Sequence, residues 1–198
     1  MGGIIQGYDL DRRAVVARLL ENRSNLLVVT GLGSPSYDVM AVGDHDSNFY
    51  LWAAMGSAAM VGLGIAEAQP DKSVVVITGD GEMLMGFGSL ATIALRKPPN
   101  LSIVILNNGH YGETGMQLSH AGYGINLADV ASACGFPRVQ TIREQTGVET
   151  LAASLGASEC LQFADIRIKA ENLPRVLPPR DGVYVKNRFR QALGFSPN

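Results

Sequence analysis

Three uninterrupted apolar runs, each rich in β-branched residues and each closed by glycine, constrain this chain more than any other feature. They read NLLVVTG (25–31), SVVVITGDG (73–81) and LSIVILNNG (101–109). A strand with one wet face alternates apolar and polar residues, so a run without alternation describes a strand covered on both sides. Between the second and third runs lies an apolar helical stretch over 83–96, stopped by Pro98 and Pro99. The segment 55–68 is rich in Gly, Ala and Met, and as a helix it predicts very close packing against the sheet. Buried strands alternating with helices make βαβ units. The expected fold is therefore α/β: a three-layer, doubly wound, mostly parallel sheet with helices on both faces.

The remaining elements follow from caps and periodicity. Asp9 is positioned to cap a helix ending near Asn22, with Val15, Val16, Leu19 and Leu20 on its apolar side and Arg12, Arg13 and Arg18 among its polar positions. Asn126 precedes apolar positions 127, 130, 131 and 134 and Gly135 follows them, which marks a short helix. FPRVQTIRE (136–144) predicts a strand. Thr146 and Glu149 have capping-box spacing ahead of Val148, Leu151, Ala152 and Leu155. ADIRIKAE (164–171) alternates like a strand nearer a sheet edge, and LPRVLPPRDG (173–182) reads as a linker into a basic segment with Lys186, Arg188 and Arg190.

With 198 residues and a formal charge of −2, residues 1–198 form a single domain large enough for its own core, and a polyanionic partner such as nucleic acid is not expected. Cys134 and Cys160 lack the close pairing that zinc or iron–sulfur ligation needs, so reduced thiols in the core are expected. The start, MGGIIQGYDLDRR, holds no apolar run suited to a signal peptide, and Gln6 stands where a myristoylation signal wants Ser or Thr. No stretch approaches the ~20 apolar residues of a membrane span. A cytoplasmic protein without a membrane partner is the expectation.

In sheets of this kind ligands bind beyond the carboxyl ends of the strands, where the loops read TGLGSPS, TGDGEM and LNNGHYGETG. Glycine lets each backbone turn sharply and present N–H groups to an anion. Asp80 adds a carboxylate between two glycines, and Asn107 and Asn108 add amide oxygens. One carboxylate, one amide oxygen and one backbone carbonyl form a hard-oxygen set suited to Mg²⁺ or Ca²⁺, with a diphosphate completing the shell. Either motif alone is more often a plain turn. Their 25-residue separation, helix then strand, would bring both to one edge of the sheet on adjacent strands.

GDG at 79–81, this spacing and NN at 107–108 resemble the diphosphate-binding domain of the thiamine diphosphate-dependent decarboxylase family. The likeness extends over FYLWAAMGSAAMVGLGIAEAQPDKSVVVITGDG and GSLATIALRKPPNLSIVILNNGHYGETG, about residues 25–136 in all, and YGETGMQ (111–117) places it nearest the sulfopyruvate and phosphonopyruvate decarboxylases. The resemblance implies a Mg²⁺ held by Asp80, the Asn108 side chain and the His110 carbonyl. It further implies thiamine diphosphate contacts from Gly79, Gly81 and the N–H groups of Glu82 and Met83, with Tyr111 and Gly112 in the third loop and Gly33 and Ser34 in the first. Glu82 departs from the Ser or Gly frequent at its place, so its carboxylate must point away from the phosphates. Met55 would lie beneath the cofactor and force its rings into a bend, the alternative being core packing; Ala53 would offer its carbonyl to the aminopyrimidine. His110 and Glu113 are the candidate proton shuttles, against the plainer reading of surface polar residues. Asp44, His45 and Asp46 read as a solvated loop rather than a metal cluster.

The family also uses a glutamate on a pyrimidine-binding domain, which this chain lacks. The resemblance therefore implies a partner α subunit supplying that glutamate, in an α2β2 or larger hetero-oligomer. The reaction implied is non-oxidative decarboxylation of a small 2-oxo acid to an aldehyde, with Arg188 and Arg190 as candidates for meeting a second anionic group or, equally, as members of a solvated or subunit-facing helix. The alternatives are a carboligase subunit like acetolactate synthase and a non-catalytic cofactor-binding subunit. A ferredoxin-linked oxidoreductase would bring clustered cysteines.

Overall fold

The three apolar runs are neighbouring strands of one six-stranded parallel sheet, in a computed structural model that describes residues 9–157 and 159–196. In chain order the elements are α1 (Arg12–Leu20), β1 (Leu27–Thr30), α2 (Ser34–Ala41), β2 (Asn48–Tyr50), α3 (Ala58–Ala68), β3 (Val74–Gly79), α4 (Asp80–Met85), α5 (Ser89–Arg96) and β4 (Leu101–Asn107). A small hairpin, β5 (His110–Tyr111) and β6 (Gln117–Leu118), precedes α6 (Leu127–Cys134), β7 (Arg138–Ile142), α7 (Gln145–Ser154), β8 (Gln162–Arg167) and α8 (Gly182–Ala192). The sheet order is β2-β1-β3-β4-β8-β7.

The apolar runs lack alternation because both faces are covered. Val74, Val76, Leu101, Ile103 and Ile105 pack with residues of α3, α5 and α6, whereas Val75, Ile77, Val104 and Leu106 pack with α1, α2 and α7. The doubly wound α/β expectation is met. Asn126 caps α6 by accepting from Ala128 N (3.1 Å), and Gly135 ends it in the left-handed region.

Several local expectations are corrected. Leu10 is still extended, bridged to Ile168, so α1 starts later and its cap is Asp11, which accepts from Ala14 N at 2.8 Å. Arg12 is not on a polar side but buried, because positions 12, 15, 16 and 19 share one helical face. The 83–96 helix is two helices, parted at Gly86–Gly88, where the Gly86 backbone packs against the Gly56 carbonyl. Thr146 lies inside α7 and makes no capping box; Glu144 precedes the helix without a side-chain cap bond.

ADIRIKAE is not at an edge. β8 runs between β4 and β7, and its polar residues pair inside the protein: Gln162 donates to Ser102 Oγ (2.8 Å), while Asp165 accepts from Asn107 (2.9 Å) and forms an ion pair with Arg167 (2.8 Å). The linker-like segment has no regular structure over 173–181, and Gly182 already opens α8, yet it is fastened down. Arg13 donates to the Pro174 carbonyl, Trp52 donates to the Pro179 carbonyl (2.7 Å), and Asp181 caps α8. Cys134 and Cys160 are free thiols, half-buried rather than in the core. Among the described residues no helix is long and apolar enough to cross a membrane. Residues 1–8, whose reading concerned leaders and lipidation, lie outside the described residues.

The small-residue segment does pack closely, as expected. A Cβ on Gly62 would sit 2.2 Å from Val76 Cγ2, whereas one on Gly64, two residues on, would meet nothing within 4 Å. Gly62→Ala is therefore expected to destabilise the chain by about 1–3 kcal/mol through overpacking. Gly64→Ala should stabilise it by about 0.4–1 kcal/mol through the unfolded chain's entropy. Chemical denaturation of both variants checks the contrast.

Candidate functional site

The strand order reverses between β1 and β3, and such a switch point leaves a crevice at the carboxyl ends of the strands. A cleft of about 220 Å³ opens there, walled by the loops after β1, β3 and β4. Gly79 of β3 stands opposite Leu106 of the adjacent β4, so the next residues, Asp80 and Asn107–Asn108, emerge side by side at the rim.

Asp80 is 2% exposed. Its carboxylate accepts from the Ser119 hydroxyl, from its own backbone N–H and from the Asn108 backbone N–H. Burial is the largest influence and pushes its pKa up to about 6, against these hydrogen bonds and helped by the charge of Asp165. Asn108 Oδ1 accepts from His110 N at 2.9 Å, which leaves that amide oxygen a second lone pair. Ser119 N–H donates to the Gly109 carbonyl, which makes His110–Leu118 a non-hydrogen-bonded pair and turns the His110 carbonyl away from β6. Asn107 is structural, spent on Asp165 and on Gly109 N. His110 Nδ1 lies 2.7 Å from the Asn108 carbonyl; a carbonyl only accepts, so Nδ1 carries the proton and Nε2 is the free acceptor.

Among the described residues no group of three His, Cys, Asp or Glu side chains forms a metal cluster. A cation at this rim would rest on one carboxylate with neutral oxygens. Asp80, Asn108 and His110 all line the cleft, and the two side chains with the His110 carbonyl would make a hard-oxygen set of the kind that suits Mg²⁺ better than a softer metal.

Gly79, Gly81, Glu82, Tyr111 and Gly112 all line the cleft, as do Ser34 and Met55. A Cβ on Gly81 would stand 2.7 Å from the Tyr111 ring, so any larger residue there would have to push that ring aside. Glu82 points away from the opening: its carboxylate accepts from Gly56 N (2.8 Å), Ala58 N (3.1 Å) and Thr78 Oγ1 (2.6 Å). Met55 is 40% exposed at the cleft wall, so it is not core packing. The Met83 side chain is in the core, Ala53 is exposed beyond the cleft, and Gly33 precedes α2 beside Glu113.

Glu113 also lines the cleft, and it is tied to Arg175 (2.8 Å) and to Ser34 Oγ (3.4 Å). The terminal arginines are elsewhere. Arg188 grips Asp44 through two nitrogens (2.6 and 3.2 Å) beside edge strand β2, and Arg190 lies over Phe195. Neither reaches the cleft. The 44–46 loop is thus an ion-paired anchor, with Asp44 also accepting from Tyr50 OH at 2.9 Å. Sequence reasoning missed Ser119, which no motif marks, and Arg12, which lines the cleft from α1.

The family described as thiamine pyrophosphate enzyme, C-terminal TPP binding domain, matches residues 39–168. The chain belongs to the thiamine pyrophosphate enzymes. Among them it is 34% identical over 184 residues to sulfopyruvate decarboxylase subunit beta of Methanocaldococcus jannaschii, with 90% of this chain and 95% of that one covered. It is 38% identical over 188 residues to phosphonopyruvate decarboxylase of Streptomyces hygroscopicus, covering 91% of this chain and 45% of that one. Benzoylformate decarboxylase from Polynucleobacter necessarius shares the fold, with a TM-score of 0.69 at 18% identity over 83% of this chain and 34% of that one. As a thiamine pyrophosphate enzyme the chain carries its GDG and NN motifs on adjacent strands facing one cleft.

The raised Asp80 pKa has a definite sign. A carboxyl whose folded pKa of about 6 exceeds its ordinary 3.8 binds protons more readily when folded. Its contribution favours folding below pH 4 and is lost as the pH rises towards 6, by on the order of 2–3 kcal/mol. Denaturation of the metal-free chain between pH 4 and 7 is expected to show this loss in the parent and not in Asp80→Asn. A pH-independent difference between the two would contradict it.

Proposed function

We propose that this chain is the β-type, diphosphate-binding subunit of a thiamine diphosphate- and Mg²⁺-dependent 2-oxo acid decarboxylase, acting on a small oxo acid with a second anionic group such as sulfopyruvate or phosphonopyruvate. The observation that carries the reading is the meeting of Asp80 and Asn108 at the ends of β3 and β4, in a chain whose similarity to decarboxylases runs over nine-tenths of its length. Asp80, the Asn108 amide and the His110 carbonyl would hold Mg²⁺. Gly81 and the Glu82 N–H would meet the phosphates, with the Glu82 carboxylate already turned aside, and Met55 would support the rings from below. When bound, thiamine diphosphate supplies the electron sink for losing carbon dioxide from the keto acid. His110 Nε2, free of protein partners among the described residues, is the better-placed proton carrier; Glu113 is neutralised by Arg175.

The reading includes a partner α subunit with a pyrimidine-binding domain and the activating glutamate. Two observations support it. The cleft, at about 220 Å³, falls below the roughly 300–1,000 Å³ of complete ligand pockets. The chain also spans 95% of the beta subunit from Methanocaldococcus jannaschii but only 45% of the Streptomyces hygroscopicus phosphonopyruvate decarboxylase. Calorimetry with thiamine diphosphate and Mg²⁺ on the assembled enzyme tests the site. Asp80→Ala and Asn108→Ala are each expected to weaken cofactor binding by more than about tenfold, and unchanged affinity in both would overturn the reading. Product analysis then separates aldehyde release from carboligation, and full turnover by this chain alone would remove the partner from the account.

A further inference from the structure

The ionisable groups of the cleft are unevenly matched. Of its acidic residues, Glu113 is paired with Arg175, and the Glu82 carboxylate is occupied by Gly56 N, Ala58 N and the Thr78 hydroxyl. Asp80 faces the proposed cation. On the basic side, Arg12 enters from the first position of α1, 4% exposed, and lines the same wall as Gly79 and Leu106. It is held side-on: Nε donates to Asp38 Oδ2 at 2.5 Å. Among the described residues, its Nη1 and Nη2 have no hydrogen-bond partner, and the side chain lines the cleft.

The local charges do not cancel. Asp38 is shared, with Arg13 Nε 3.5 Å from its other oxygen, so two guanidinium groups stand against one carboxylate. Arg12 gives Asp38 only Nε, so its two-pronged end is not spent on that carboxylate. A guanidinium end without protein partners at a cleft can exchange water for an anion, and charge-assisted bonds to that anion are stronger than those to water. The fork matches the spacing of two oxygens on a tetrahedral centre.

We infer that Arg12 is an anion-recognition residue of the cleft, its Nη1 and Nη2 binding two oxygens of a tetrahedral oxyanion. Two groups share that chemistry: the terminal phosphoryl of the diphosphate cofactor, and the sulfonate or phosphonate of the oxo acid. The inference rests on the cofactor-site reading above, and Asp38 serves it as a positioning residue that fixes the fork.

The test is calorimetric titration of the full chain, alone and assembled with its partner, with Mg²⁺–diphosphate and with methylphosphonate as probes. Arg12→Gln removes the fork, and Arg12→Lys keeps the charge without it. Arg12→Leu combined with Asp38→Leu removes the ion pair as a unit, so a folded protein remains to be read if Arg12→Gln does not fold. Arg18→Gln, on the exposed side of the same helix, is the control. Arg12→Gln and the paired variant should bind the recognised probe about ten- to hundredfold more weakly, with Arg12→Lys between and Arg18→Gln unchanged. A loss confined to Mg²⁺–diphosphate names the cofactor phosphoryl, and a loss confined to methylphosphonate names the substrate's anion. Affinities within twofold of the parent for both probes in the folded variants overturn the inference, as does a parent that binds neither. Asp80→Ala run alongside separates the two failures: if it abolishes Mg²⁺–diphosphate binding while the Arg12 variants bind both probes as the parent does, the cofactor site stands and the role of Arg12 falls.

Discussion

The parallel register in which Gly79 faces Leu106 is the constraint on which the rest of the molecule depends. It sets the ends of β3 and β4 level, so that the Asn108 backbone N–H reaches the Asp80 carboxylate and the two side chains share one cleft. Slipping one strand would separate them by about 3.3 Å per residue. The register is held from both faces: Val74, Val76, Leu101 and Ile103 lock into one core, and Val75, Ile77, Val104 and Leu106 into the other.

Around that fixed pair, the surrounding polar groups are divided between holding the loops and facing the opening. Glu82 ties the end of β3 back to the turn at Gly56, which seats Met55 at the wall. Asn107 and Asp165 fasten the end of β4 to β8, freeing Asn108 to stand outward. Ser119, returned to the rim by the β5–β6 hairpin, holds the Asp80 carboxylate in place. Each of these contacts spends a polar side chain on structure so that Asp80, Asn108 and Arg12 remain turned to the cleft.

The α/β architecture and the two central motifs were legible because they are written locally: a run without alternation is a doubly covered strand, and GDG and NN sit directly at strand ends. The small-residue stripe ending at Ala68 announced its closeness to the sheet in the same way. What was not legible depends on long-range partners. The polar residues of β8 looked like an edge because a buried network, Gln162 with Ser102 and Asp165 with Asn107, imitates the alternation of a wet face. Arg188 looked free until Asp44, far away in sequence, closed on it. Arg12 was readable in principle, since its spacing from Val15, Val16 and Leu19 puts it on the buried face, but its charge argued for the opposite side.

The central claim is that a divalent ion bound by Asp80 and Asn108 anchors a diphosphate in this cleft. Crystals of the assembled enzyme grown with Mn²⁺ and thiamine diphosphate, measured for anomalous scattering, test it most directly. The account predicts a single peak at roughly 2.1 Å from both an Asp80 carboxylate oxygen and Asn108 Oδ1, with phosphate oxygens in the same shell. A metal peak away from those two side chains, or a cofactor diphosphate lying elsewhere, would contradict it.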